Sequence, residues 1–98
     1  MTRDEIIDRI AAAAPRLKAE GATALYIYGS RARAIHNADS DLDVYVDFEP
    51  ESGFSLVELA GIELLLEAML GLDVQVTTRG SLNPLMRASI ERESVRAF

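Results

Sequence analysis

The chain has 98 residues, of which 49% are hydrophobic and 27% charged, a composition typical of globular proteins and not of disordered ones. Acidic residues outnumber basic ones 16 to 10, and the formal charge of −6 argues against a protein that coats nucleic-acid phosphates. Cysteine is absent and histidine occurs once, which excludes disulfides, thiolate chemistry and any site that needs two imidazoles.

The length of the chain and its lack of long apolar segments indicate how many domains it forms and where in the cell it is found. We expect a single domain over residues 1–98, because this length suits one hydrophobic core. No segment reaches the ~20 consecutive apolar residues of a transmembrane helix. The opening MTRDEIIDRI lacks the apolar stretch of a signal peptide. Together with the absence of cysteine, these features predict a cytoplasmic protein that does not bind membranes.

The first predicted element is a helix over residues 2–20, where apolar residues recur at spacings of three and four. Thr2 and Glu5 have the capping-box pattern of a helix start. Pro15 should kink or break this helix, because it cannot continue the backbone hydrogen bonds. The apolar run ALYIY then predicts a buried strand over residues 24–28.

A short helical segment over residues 30–35 leads to a second strand over residues 41–48, in which acidic and apolar residues alternate. The helix expected over residues 55–70 is apolar almost all round, so it is either heavily buried or part of an interface. A third strand over residues 73–78 and a last helix over residues 85–96 follow. The fold is therefore expected to be α/β (α+β), with a small mixed sheet of about three strands flanked by helices.

The first residues that suggest chemistry are Gly29 and Ser30, at the end of the first strand. A strand that turns directly into a helix presents free backbone N–H groups, which suit a phosphate. Gly29 lets the backbone approach an anion closely, and Ser30 adds a hydroxyl. Arg31 and Arg33 flank this turn, where they either contact nucleotide phosphates or are simply solvated.

Two carboxylates, Asp41 and Asp43, follow at the start of the second strand. Residues two apart on a strand share a face, so these side chains can converge. Carboxylates this close repel each other unless a cation neutralises them, and Mg²⁺ is the natural candidate because it takes oxygen ligands. Alone, such a pair is most often a solvated face. Beside a phosphate-binding turn, it is typical of metal-assisted phosphoryl or nucleotidyl transfer.

These residues also carry a family resemblance. Gly29-Ser30, ten further residues and Asp41-Leu42-Asp43 resemble the GSx10DxD signature of the polymerase-β-like nucleotidyltransferase superfamily. The strings YIYGSRARA and ADSDLDVYVDF are similar to its minimal nucleotidyltransferase (MNT) branch. The run SLNPLMRASIERESV is similar to that branch's closing L-x-P-x-x-R-x-x-I-x-x-E, so the resemblance covers nearly the whole chain. Members of this branch are often encoded beside a HEPN-domain protein and act as antitoxins.

The resemblance implies both an activity and a site. It implies a chain that binds Mg²⁺ and ATP, as substrate, and transfers a nucleotidyl group to a tyrosine hydroxyl of a HEPN-type toxin. Gly29 and Ser30 match the family's triphosphate-binding turn. Asp41 and Asp43 match its catalytic, metal-binding carboxylates.

The main departure from the family pattern is at the third acid of the active members. That acid helps to activate the acceptor hydroxyl, and the resemblance places it at Gln75, which can neither act as a base nor neutralise Mg²⁺. Asp73 is on the same predicted strand face two residues earlier. It is the candidate catalytic substitute, displaced by ~6–7 Å along the strand.

Three functions are compatible with these observations. The first is Mg²⁺-dependent nucleotidyl transfer to a partner protein. The second is a binding antitoxin with lost or weakened catalysis, which blocks its partner with apolar surface from the helix over residues 56–70 or from the last helix. The third is a nucleotide-binding subunit that acts on a small molecule held by another chain. A homodimer is compatible with each of them.

Overall fold

The computed structural model describes residues 1–33 and 41–98. Its helices and strands, in chain order, are α1 (Arg3–Ala12), α2 (Ala14–Ala19), β1 (Ala22–Tyr28), β2 (Leu42–Phe48), α3 (Leu56–Leu70), β3 (Val74–Thr78), a 3-10 turn (Arg79–Ser81), α4 (Arg87–Glu93) and β4 (Val95–Arg96). The first three strands begin and end within two residues of their predicted bounds. The predicted helix over residues 30–35 extends outside the described residues, and its described part is a turn.

The strands form one mixed sheet in the order β3-β2-β1-β4. Strand β1 pairs antiparallel with both β2 and β4, whereas β2 and β3 are parallel. The predicted small mixed sheet flanked by helices is therefore confirmed, with four strands where about three were expected.

The N-terminal helical segment is divided near Pro15, as predicted. Thr2 Oγ1 accepts a hydrogen bond from the Glu5 N–H at 3.2 Å, and the Glu5 carboxylate accepts one from the Thr2 N–H at 3.3 Å. This is the predicted capping box of α1. Helix α1 ends at Ala12, and Pro15 lies in the first turn of α2, where its missing N–H would have no helical partner in any case.

The hydrophobic core lies against one face of the sheet. On β2, Leu42, Val44 and Val46 are fully buried on that face. They pack with buried side chains of α1, α2 and α3, among them Ile6, Ile10, Leu17, Ile62 and Leu66. Each buried aliphatic side chain contributes about 1.5–3 kcal/mol. A slip of β2 by one residue would expose all three, so the core fixes which β2 residues face the other side of the sheet.

Helix α3 has one buried and one exposed apolar face. Ser55 caps it by accepting the Val57 N–H at 3.2 Å, and Gly71 ends it in the left-handed conformation. Its buried side chains are Ile62, Leu66 and Leu70. Its exposed ones are Leu56 at 81%, Val57 at 79% and Leu64 at 67%. Of the two predicted alternatives, heavy burial is wrong for this second face, which is free to form an interface.

The prediction of a last helix over residues 85–96 is wrong at both ends. Asn83 Oδ1 accepts the Leu85 N–H at 3.0 Å and the Asn83 carbonyl accepts the Met86 N–H at 2.9 Å, so residues 84–86 form a turn and α4 begins only at Arg87. After Glu93 the chain leaves the helix and pairs with the outer edge of β1. The Ala97 N–H donates to the Leu25 carbonyl at 2.8 Å, and this edge pairing satisfies backbone groups that a longer helix would leave open.

No helix within residues 1–33 and 41–98 is long and apolar enough to cross a membrane. The longest described helix, α3, has 15 residues, fewer than the ~20 that a span needs. The cytoplasmic location stays a prediction from the sequence.

Candidate active site

The face of the sheet opposite the core carries a row of polar side chains across three strands. Tyr28 of β1 lies opposite Asp43 of β2, and Asp43 lies in register with Gln75 of β3. Residues in register on neighbouring strands point to the same face. The three side chains therefore form one row, with the carboxylate in the middle.

Gly29 closes this row by packing directly against Asp43. Its φ of +75° belongs to the left-handed region that favours glycine, and a Cβ at this position would lie 2.8 Å from Asp43 Oδ2. The Gly29 carbonyl accepts the Arg33 N–H at 3.3 Å, so the chain turns sharply after β1. The lack of a side chain at Gly29 thus leaves room beside the Asp43 carboxylate, and the approach of a phosphate to this turn stays a prediction.

The charge of Asp43 is poorly compensated. Partial burial, reinforced by repulsion from Asp41, raises the pKa of the Asp43 carboxyl above its ordinary value. Burial and the charge of Asp43 also raise the pKa of Tyr28. The charge of Asp41 thus adds to the cost of ionising Asp43, and a bound cation would remove this cost.

The residues at this point fit a magnesium ion held by two carboxylates. Asp41 is exposed just before β2, Asp43 is half-buried, and the absence of a side chain at Gly29 keeps the space beside Asp43 Oδ2 open. Mg²⁺ usually binds through one or two carboxylates together with substrate phosphates. Asp41 and Asp43 would supply the carboxylates of such a site.

A third carboxylate does not complete the pair among the described residues. No group of three acidic, histidine or cysteine side chains that could hold a metal gathers within residues 1–33 and 41–98. Asp73 is exposed and lies just before β3, and its carbonyl accepts the Leu42 N–H at 2.9 Å. The side chain that stands in register with Asp43 is that of Gln75, which is exposed.

The two arginines after the turn have different surroundings. Arg31 is only 2% exposed and is engaged within the protein, which favours a structural role over the predicted contact with phosphates. Arg33 is the accessible one of the two, with its side chain 49% exposed, and its Nη1 lies 3.1 Å from Glu93 Oε2 of α4. Sequence reasoning did not single out Glu93, although it closes the family-like run at the end of the chain.

Sequence reasoning also missed a network of hydrogen bonds centred on Arg79, at the other end of β2 and β3. Arg79 donates two hydrogen bonds to the Asp47 carboxylate, at 2.8 and 3.0 Å, and a third to Glu91. Its guanidinium carbon lies 4.9 Å from the ring centre of Tyr26 and 5.0 Å from that of Tyr45. The network ties the end of β3 to β2 and α4, and nothing in the local pattern around Arg79 signals it.

Comparisons with known proteins place the chain in a family. The family described as the nucleotidyltransferase domain matches residues 7–97. The chain belongs to the nucleotidyltransferase-domain family. The match covers the Gly29 turn, the carboxylate pair and α4, so the whole site described above lies within the family region.

Relatives of this nucleotidyltransferase-domain protein include protein adenylyltransferases. Protein adenylyltransferase MntA of Thermococcus cleftensis is 36% identical over 75 residues, which span 76% of this chain and 74% of that protein. A Methanocaldococcus jannaschii protein, provisionally named a protein adenylyltransferase, is 37% identical over 81 residues, spanning 83% of this chain and 85% of its own.

Two solved structures share the fold. A protein provisionally described as a minimal nucleotidyltransferase aligns with a TM-score of 0.83 at 33% identity, covering 97% of this chain and 95% of that one. A crystal structure described as a toxin–antitoxin with AMP-PNP aligns with a TM-score of 0.70 at 14% identity, covering 90% of this chain and 72% of that one. The second likeness extends to the fold alone.

Proposed function

We propose that this chain is a Mg²⁺-dependent nucleotidyltransferase that uses ATP to adenylylate a partner protein, and that this partner is a HEPN-type toxin for which the chain is the antitoxin. Its relatives include protein adenylyltransferases, and a structural neighbour is a toxin–antitoxin with AMP-PNP. The observation that supports the proposal most is that the Gly29 backbone lies so near Asp43 that a Cβ at residue 29 would be 2.8 Å from Asp43 Oδ2, which puts the predicted phosphate-binding turn beside a carboxylate pair.

In this reaction the acceptor hydroxyl oxygen forms a bond to the α-phosphorus of ATP, and the bond from that phosphorus to the bridging oxygen breaks, so that pyrophosphate leaves. The backbone at Gly29 and Ser30 binds and orients the triphosphate. Asp41 and Asp43 hold Mg²⁺, which when bound neutralises the charge that develops on the phosphates. The hydroxyl proton passes to solvent water, because Gln75, which is in register with Asp43 on β3, cannot take it.

The test is transfer of label from α-labelled ATP to the HEPN-domain protein produced with this chain. Asp43→Asn should reduce labelling by at least about a hundredfold, because a lost metal ligand removes several kcal/mol of charge stabilisation. Asp8→Asn is the matched control, since Asp8 is exposed on α1, away from the sheet. Equal labelling by the wild type and by Asp43→Asn would refute the proposal.

A second candidate function is neutralisation by binding alone. Two observations favour it: Gln75 stands where a base would be useful, and α3 exposes Leu56, Val57 and Leu64. In that case, neutralisation of the toxin in cells should survive Asp41→Asn together with Asp43→Asn, but should be lost with Leu64→Ser. Ala11→Ser is the control, because Ala11 is exposed on α1, outside both candidate blocking surfaces. The reverse pattern would support catalysis.

A further inference from the structure

Arg33 and Glu93 form an ion pair between the turn that follows β1 and the end of α4. Arg33 Nη1 and Glu93 Oε2 lie 3.1 Å apart, and each side chain is 49% exposed. The two residues are 60 positions apart in the chain. The pair therefore depends on the fold and links two segments that the sequence does not bring together.

The pair borders the space that leads to Gly29. A cavity of about 220 Å³ lies between the turn and α4, and Gly29, Arg33, Ser89 and Glu93 are among the residues that line it. This volume is below the ~300–1,000 Å³ of a pocket that encloses a drug-sized ligand. An anion bound at Gly29 would thus lie at the edge of this cavity, within the surroundings of both charged side chains.

The backbone beside Glu93 is anchored by its neighbours, whereas Arg33 lies on a turn. The residue after Glu93, Ser94, has its Oγ 2.7 Å from the Tyr45 hydroxyl, and it donates to the Glu91 carbonyl at 2.9 Å. Strand β4 then pairs with β1. Arg33, in contrast, lies on a turn with a long, half-exposed side chain, so its guanidinium can reorient without moving the sheet.

We propose that Glu93 holds Arg33 when no nucleotide is bound and competes with the triphosphate for it, so that Glu93 limits the affinity for ATP. This inference rests on the proposed function. An exposed ion pair is weak and easily exchanged. A triphosphate offers several charged oxygens to the guanidinium, which binds phosphates through two parallel hydrogen bonds. When ATP occupies the turn, Arg33 moves to the phosphates and the Glu93 carboxylate returns to water.

The competition has a specific consequence for double variants. If binding of ATP breaks the Arg33–Glu93 pair, Arg33 contributes more to ATP affinity when Glu93 is absent, because no pair has to be broken. If the pair persists in the complex, the contribution of Arg33 is the same with and without Glu93. If Glu93 instead orients Arg33 towards the phosphates, the contribution of Arg33 is smaller without Glu93.

The experiment is calorimetric titration of Mg²⁺–ATP into the wild type, Arg33→Gln, Glu93→Gln and the double variant at one salt concentration. Glu93→Gln should tighten binding, and Arg33→Gln should weaken binding about two- to fivefold more in the Glu93→Gln background than in the wild type. Arg92→Gln is the matched control, since Arg92 is the exposed arginine next to Glu93, and it should leave affinity unchanged.

Three results would overturn the inference. Equal effects of Arg33→Gln in both backgrounds would show that the pair is not exchanged. A smaller effect in the Glu93→Gln background would assign Glu93 an orienting role. Absence of ATP binding in every protein, each verified as folded by circular dichroism, would refute the proposed function itself and with it the competition.

Discussion

A side chain of any size at residue 29 would collide with the carboxylate on which the site depends. A Cβ on Gly29 would lie 2.8 Å from Asp43 Oδ2, closer than carbon and oxygen normally approach. The same residue has a φ of +75°, so two separate requirements select glycine here. One is the backbone conformation and the other is the space beside Asp43.

These two requirements can be separated by comparing two glycines. Gly53 has a φ of +80° and no atom within 4 Å of a Cβ, so Gly53→Ala carries the backbone strain alone. Gly53→Ala should lose about 1–2 kcal/mol of unfolding free energy in urea, and Gly29→Ala should lose at least as much, because its Cβ must also displace the Asp43 carboxylate. Only Gly29→Ala should also lose nucleotidyl transfer, because it displaces the Asp43 carboxylate. Retention of full transfer by Gly29→Ala would contradict the role given to the contact.

The raised pKa of Asp43 leads to a prediction about stability and pH. An acid whose pKa is higher in the folded than in the unfolded protein destabilises the fold above that pKa, because the unfolded chain releases the proton more easily. The penalty is absent below the ordinary value of 3.8, grows as the pH rises from there to the raised pKa, and is complete above it. Asp43→Asn should therefore raise the melting temperature at about pH 7.

Asp43→Asn should not raise the melting temperature below pH 3.8, where the carboxyl is protonated in both the folded and the unfolded protein. Thermal melts of the wild type and Asp43→Asn across this range provide the measurement, with Asp8→Asn as the control for removal of one negative charge. A melting temperature that falls at neutral pH on Asp43→Asn would contradict the destabilising burial of this charge.

At the scale of elements, Arg79 links β2 to α4 on the face of the sheet opposite the core. It bridges β2 through Asp47 and α4 through Glu91, and its guanidinium lies against the rings of Tyr26 and Tyr45. Its hydrogen bonds to these two carboxylates hold the pKa of Arg79 above its ordinary value. The position of α4, and with it the position of Glu93, therefore depends on this side chain.

Arg79→Lys tests this connection. Lysine keeps the charge but loses the two-pronged hydrogen bonding to Asp47 and the stacking on the rings. We expect a loss of about 1–2 kcal/mol in unfolding free energy, measured by urea denaturation. Arg92→Lys on the exposed side of α4 should change stability by less than about 0.5 kcal/mol. Equal losses in the two variants would show that the network contributes nothing specific.

Most elements, but few of the contacts between them, were predictable from the sequence. The alternation in LDVYVDF predicted β2 and its buried face, and Pro15 predicted the break between α1 and α2. Strand β4 has two residues and exists only through pairing with β1, so no periodicity could reveal it. The local pattern also placed Gly29 at the end of β1 and Asp43 on β2, whose functional role stays a prediction, whereas the Arg33–Glu93 pair required the fold.

At the scale of the whole molecule, the two faces of the sheet have different roles. One face packs against α1, α2 and α3 and supplies the stability, and the other carries Tyr28, Asp43 and Gln75. The chain supplies the turn and two carboxylates but no base in the row, and α3 keeps an apolar face exposed. The proposed activity thus needs a partner protein that brings the acceptor hydroxyl to the second face.

Gln75 offers the most direct test of this account. Gln75→Asp introduces a carboxylate in register with Asp43, where it can accept the hydroxyl proton and add a ligand for Mg²⁺. The measurement is the initial rate of label transfer from α-labelled ATP to the HEPN-domain partner by Gln75→Asp, the wild type and Asp43→Asn in one assay. We predict that Gln75→Asp is faster than the wild type and that Asp43→Asn is at least about a hundredfold slower. Equal rates for all three proteins would contradict the placement of nucleotidyl transfer at this row.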